Sequence, residues 1–180
     1  MRRYVGIAVL VAGALVATSA IAGVASAGHR HHVIATVLMK DDCEPESFNH
    51  AVGPHTCIGH GHTTFEAFIG QLVATGDAPA WRFDPSALSL PRGGQIRAVN
   101  VGGEDHTFTE VANYGGGCIA VLNDLLGLTP VPECAGFPGG AFGATLAPPG
   151  STLTTGPLAP GIHRFECLIH PWMRTTATVS

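Results

Sequence analysis

The sequence predicts an all-β protein, a β-sandwich with one short helix added and long irregular insertions. Three observations carry this. From Trp81 onward the apolar residues recur with a period of two in short runs, each closed by Gly or Pro. Only one stretch, residues 65–73, carries the longer period of a strongly amphipathic helix. The chain holds 24 Gly and 13 Pro, enough turn residues to punctuate many short strands.

In chain order, residues 33–39 form an apolar, β-branched run that reads as a first strand. Residues 41–62 are dense in His, Gly and Pro and read as a loop. Thr63 and Glu66 form a capping box, Phe65, Phe68, Ile69, Leu72 and Val73 share one helical face, and Gly76 stops the helix. That aromatic face should rest on the domain. Residues 81–83, 87–90, 96–101 and 107–111 read as strands, broken by Pro85, by Pro91-Arg92-Gly93-Gly94 and by Gly102-Gly103. An irregular stretch at 113–150 holds one short helical candidate at Leu122, Leu125 and Leu126, ended by Gly127. Residues 151–155, 162–167 and 175–179 supply the closing strands.

Arg2 and Arg3 precede an uncharged stretch at 5–27 that ends in Ala25-Ser26-Ala27, the small-x-small pattern of a signal peptidase site. The sequence therefore predicts a signal peptide at 1–27, cleaved after Ala27, and an extracytoplasmic product, periplasmic or secreted. No Cys follows the cleavage point, which excludes a lipoprotein anchor. The remaining residues, 28–180, are about the commonest size for one domain. All 13 acidic residues lie in that part, whereas two of the nine basic ones lie in the leader, so the mature chain is more acidic than the overall net charge of −4. This argues against a nucleic-acid or anionic-membrane surface.

An exported chain with five cysteines should pair four and leave one free. Four cysteines allow three pairings; the local one, Cys43 with Cys57 and Cys118 with Cys134, is expected because short loops close most readily. Cys167 is then the free thiol.

Cys167 opens the run Cys-Leu-Ile-His-Pro-Trp-Met, which places a thiolate, an imidazole and a thioether within seven residues. One Cys sulfur, two His nitrogens and a weak axial Met sulfur suit copper in both of its oxidation states. The second imidazole must come from elsewhere, and His106, just past an apolar strand, is a suitable donor. The metal ligands expected are thus His106, Cys167, His170 and Met173, around one copper ion of type 1. Pro171 stiffens the ligand turn and removes an N–H that would otherwise be available to the sulfur.

Phe83-Asp84-Pro85, a strand, Gly-Gly, a strand ending in Asn100, His106, and the closing segment from Gly161 through Cys167, His170 and Met173 together resemble the cupredoxins, in particular their amicyanin and pseudoazurin branch. The resemblance covers residues 81–112 and 150–180. It implies a Greek-key β-sandwich whose last hairpin carries Cys, His and Met. It also implies single-electron transfer to a redox partner protein rather than catalysis. Residues 33–80 and the long separation of His106 from Cys167 depart from a minimal cupredoxin and mark an extended form with an N-terminal extension.

A second reading uses the same site for copper binding or buffering without redox turnover, aided by a looser metal-capturing surface at His50, His55, His60 and His62, with His29, His31 and His32 near the new terminus. Against it, these read as solvated loop histidines. A zinc site at Cys57, His60 and His62 requires Cys57 to be unpaired. Glu104 and Asp105 fit either a functional role, steering a cationic partner or hydrogen-bonding the His106 ring, or a plain polar turn. Trp172 fits either an apolar docking patch or packing over the loop, and His163 fits strand surface. Gly115-Gly116-Gly117 lacks the Lys and helix start of a phosphate loop. Multicopper enzymes need further paired histidines beside the ligands, and a dinuclear copper centre needs two thiolates; neither is present in the sequence.

Overall fold

Each of two sheets has four strands and buries one face against the other, as alternating apolar residues require. The computed structural model describes residues 33–180; the expected leader at 1–27 and the histidines at 29, 31 and 32 lie outside the described residues. β1 (Ile34–Lys40) aligns Val37 and Met39 inward, both fully buried. It pairs antiparallel with β2 (Arg82–Asp84) and parallel with β4 (Gln95–Asn100), Met39 opposite Asn100. β8 (Thr152–Thr154) completes the first sheet, in the order β2-β1-β4-β8.

The second sheet runs β3-β10-β9-β6, built from β3 (Ala87–Leu90), β6 (Thr109–Val111), β9 (Gly161–Glu166) and β10 (Arg174–Val179). β5 (His106–Thr107) and β7 (Leu146–Ala147) form a small separate ladder. Between the sheets Phe108 stacks on Phe165 at 4.5 Å, with Phe83 tilted against Phe108 at 5.2 Å. Each such ring stabilises the sandwich by about 1.5–3 kcal/mol through burial.

The extension expected at 33–80 divides into two parts. β1 is no appendage: it is an interior strand of the first sheet. After it come two packed helices, α1 (Pro45–Ala51) and α2 (Phe65–Thr75). α1 lies where a loop was expected. Its start is signalled by Glu44, whose carboxylate accepts from the N–H groups of Glu46 and Ser47, and by Pro45 at the first position. Seven residues with one buried side chain, Phe48, gave no readable period. α2 is the expected helix, but its cap is Thr64, which accepts from the Ala67 N–H, rather than Thr63, whose hydroxyl donates to Asp42. Gly76 ends it in the left-handed region, φ 73°.

The irregular stretch contains the expected helix as α3 (Ala120–Leu126), closed by left-handed Gly127, and in addition a 3-10 turn at Pro132–Cys134 and α4 (Gly140–Ala144). Both expected disulfides are present, Cys43–Cys57 and Cys118–Cys134, and Cys167 is free and buried. The first joins the α1 segment to its own loop. The second closes the α3 loop.

Candidate metal centre

The site lies where β9 gives way to β10. Cys167 follows the last residue of β9, and the turn that returns to Arg174 is held by two backbone bonds, Cys167 N–H to the Met173 carbonyl (3.1 Å) and Met173 N–H to the His170 carbonyl (2.9 Å). Pro171 cannot donate, so the turn uses the N–H groups on either side of it. The Leu168 N–H bonds the Thr107 hydroxyl at 2.7 Å, fastening this turn to β5. Residue 106, the first of β5, is thereby set against the turn.

Three of the four expected ligands meet with their donor atoms facing one another. The Cys167 sulfur is 3.9 Å from Nδ1 of His106 and 3.9 Å from Nδ1 of His170, and the two nitrogens are 3.3 Å apart. All three residues are buried. A point equidistant from these atoms lies about 2.2 Å from each, the length of a bond from a first-row metal to imidazole nitrogen or thiolate sulfur. The donor set fits a metal. Met173, the fourth expected ligand, is in the same turn and fully buried.

The thiolate receives two weak backbone donors, the N–H groups of Thr107 (3.4 Å) and His170 (3.5 Å). Burial alone pushes the Cys167 thiol up, yet the hydrogen bonds and charges of His106 and His170 outweigh it and hold the thiol well below its ordinary value. Burial likewise disfavours the charged ring of His106, but the Asp41 and Cys167 partners overcome that and raise it to about 9.

The His106 ring is oriented by Asp41, which the sequence reading did not identify. Its carboxylate lies 2.9 Å from Nε2, which leaves Nδ1 for the centre. Asp41 is itself clamped by the N–H groups of Gly103 (2.9 Å), Glu104 (3.1 Å) and Cys43 (3.3 Å). Burial raises its carboxyl most, and the bonds from His106, Gly103 and Glu104 together bring it below the usual range. Gly102 is required here, since any Cβ would collide with this carboxylate. The available signal was an acidic pair, Asp41-Asp42, directly after the first strand.

Of the two readings of the 104–105 pair, neither side chain bonds His106. Asp105 is exposed, while Glu104 is buried, accepts from the Trp81 indole N–H at 2.6 Å, and lies 3.8 Å from Nε2 of His170. Asn100, the last residue of β4, donates to the carbonyls of Glu104 and Ala147, both at 2.8 Å, and fixes this turn.

The helical extension covers the centre. Phe68 of α2 lies edge-on to the His170 ring at 6.3 Å and against Trp172 at 5.8 Å, and the Trp81 ring sits 4.6 Å from Phe68 and 5.7 Å from Phe48. His170 is only 3% exposed. The Trp172 ring packs over the loop, 5.4 Å from His170, and remains partly exposed. Beside this cover, α1, α2 and α3 frame an apolar groove of about 560 Å³ that reaches His170 and Glu104 at one end.

The histidines at 50, 55, 60 and 62 are exposed, and among the described residues none joins a metal-binding cluster. Cys57 is in a disulfide, which removes the Cys57, His60, His62 zinc site. The Asp41, Cys43, Glu104 group lacks a free thiolate for the same reason. Gly117 packs so closely on the Leu168 carbonyl that a side chain would clash, and Gly116 does the same against Asn123 and the Thr129 backbone.

A β-sandwich whose last hairpin brings Cys167 and His170 to His106 of the separate strand β5 agrees with the fold that the sequence resemblance implied. The fold is cupredoxin-like. No protein-family model matches the chain, and no curated protein sequence matches it significantly. Among solved structures, the chain is similar to a purple cupredoxin from Nitrosopumilus maritimus at 15% identity, covering 81% of this chain and 99% of that one with a TM-score of 0.44. It is similar to plastocyanin from Dryopteris crassirhizoma at 15% identity, covering 81% and 100%, TM-score 0.39. A Cu(I) amicyanin mutant is similar at 14% identity over 55% of this chain and 73% of that one, TM-score 0.35.

Proposed function

We propose that this cupredoxin-like protein is a mononuclear type 1 copper protein that carries single electrons between partners outside the cytoplasm. In this reading His106, Cys167 and His170 are the strong ligands and Met173 the weak axial one. The observation that supports it most is the buried triangle of one sulfur and two ring nitrogens, sized for a metal. One thiolate, two imidazoles and a thioether form the donor set that copper favours over zinc.

A bound copper ion supplies one-electron exchange between two oxidation states. The chain supplies the rest. Asp41 fixes the His106 ring, the Thr107 and His170 N–H groups steady the thiolate, and the aromatic cover of Phe68 and Trp172 excludes water. Because the His106 ring and the Cys167 sulfur are each held by bonds from distant segments, the pocket stays rigid and reorganisation is small. The role is that of a carrier, with a redox protein as partner, rather than an enzyme. Two disulfides belong with maturation in an oxidising compartment, which supports export. No helix among the described residues is long and apolar enough to cross a membrane.

The test is to add Cu(II) to the purified mature protein and record the visible spectrum beside that of Cys167→Ala. One equivalent and an intense sulfur-to-copper band, lost in the variant, are expected. A pale spectrum with several weakly bound ions would instead indicate metal buffering.

A further inference from the structure

Three of the four expected ligands, His106, Cys167 and Met173, are closed to solvent, and His170 alone keeps a trace of exposure, at 3%. An ion arriving from water therefore meets the edge of His170 before the other donors. Two openings reach that edge. One is the groove between the helices, whose almost wholly apolar lining would strip a cation of its water without replacing it. The other is a polar cleft of about 280 Å³, lined by His55, Thr56, Glu104, Asp105 and Ile169 as well as His170. It offers a second imidazole and two carboxyl groups, and no Lys or Arg borders it. Such a lining suits a cation.

His55 is built into this cleft. Its backbone is held in the left-handed region at φ 67°, the only non-glycine residue there among the described residues. A glycine would take that backbone without strain, and side chains held in this way gather at functional sites. The turn that carries it is fixed by its neighbours. The Thr56 hydroxyl donates to the Gly53 carbonyl at 2.9 Å, and Cys57 is tied by its disulfide to Cys43 and by Asn49, which bonds both its N–H and its carbonyl. An antiparallel bridge sets Cys57 opposite Glu104, and the Ile58 N–H donates to the Gly103 carbonyl at 2.9 Å, so the segment runs alongside the 104–105 turn. His55 is exposed and does not belong to the three facing donors, so it can hold an ion only in passing.

We propose that this cleft is the port through which a hydrated copper ion enters, captured first by the His55 imidazole beside Asp105 and then passed to His170, water leaving at each exchange. The inference rests on the copper reading, and it concerns the rate of loading rather than the loaded state. One equivalent of Cu(II) is mixed by stopped flow with the purified metal-free protein, and uptake is followed by quenching of tryptophan fluorescence, Trp172 lying 5.4 Å from His170. His55→Asn keeps a residue that tolerates positive φ and removes the imidazole. It should slow second-order uptake about tenfold, and Asp105→Asn should slow it by a factor that shrinks with added salt. A port speeds entry and exit alike, so release to a chelator should slow in the same proportion and the affinity should not change. His60→Asn, exposed on the same loop but outside the cleft, should load at the parental rate. Uptake by His55→Asn as fast as by the parent, equal slowing by His60→Asn, or a loss of affinity with release unslowed overturns the proposal. The copper reading fails separately, when the parent takes up the ion through His55 without developing the intense sulfur-to-copper band; a parent that takes up none overturns both.

Discussion

The Asp41 carboxylate lies 2.9 Å from Nε2 of His106, with side-chain exposures of 1% and 0%. The two residues come from the end of β1 and the start of β5, so the first sheet holds a ring that faces the last hairpin of the second. A buried carboxylate on the far nitrogen makes the near one a stronger donor and fixes its direction. Asp41→Asn keeps the shape and removes the charge. Its copper affinity should fall about 10–100-fold by chelator competition, and its reduction potential should rise, because the lost negative charge favoured the more oxidised ion. Voltammetry and affinity both unchanged would show that Asp41 only caps the turn at Gly103.

Met173 is fully buried in the ligand turn. If its sulfur is the weak axial donor, Met173→Leu preserves the packing volume and should leave copper bound and coloured, with the potential shifted upward. Spectroscopy and voltammetry on the same sample check this. Loss of binding altogether would mean that the axial assignment is wrong.

The sheets and ligand turn were legible because their signals are local: period-two runs such as that of β4, and the spacing from Cys167 to Met173. His106 could be read because it follows a strand and a Gly-Gly turn. Asp41 was not legible, since its partner is 65 residues away and nothing nearby marks it as buried. The same holds for β1, which the sequence shows as a strand but not as a parallel neighbour of β4. The cover over His170 depends on where α2 docks, and helical period fixes which face is apolar without fixing what that face meets.

His163 sits on β9 with Nε2 2.8 Å from the Ala159 carbonyl and Nδ1 2.6 Å from the Glu110 carboxylate. The carbonyl contributes most, and with Glu110 it outweighs partial burial to raise the ring above its ordinary 6.5. A raised value in the folded state means that the protonated ring stabilises the fold. That contribution is complete below about pH 6.5 and fades as pH climbs through the folded-state value. NMR titration should find His163 above 6.5, and urea unfolding of His163→Ala should lack the part of the decline that the parent shows over that window. A ring titrating below 6.5 would reverse the sign.

The Cys118–Cys134 bridge closes a loop of 16 residues, and the Cys118 N–H bonds the Leu168 carbonyl in the ligand turn at 2.6 Å. Replacing both cysteines with Ser frees that loop in the unfolded chain and should lower stability by about 3 kcal/mol in urea unfolding. The three facing donors remain fastened by other bonds: Leu168 to Thr107, Cys167 to Met173, and Asp41 to His106. Copper affinity in the double variant should therefore fall less than in Asp41→Asn, by the same chelator competition. A larger fall would show that the α3 loop, and not the hairpin with β5, holds the centre together.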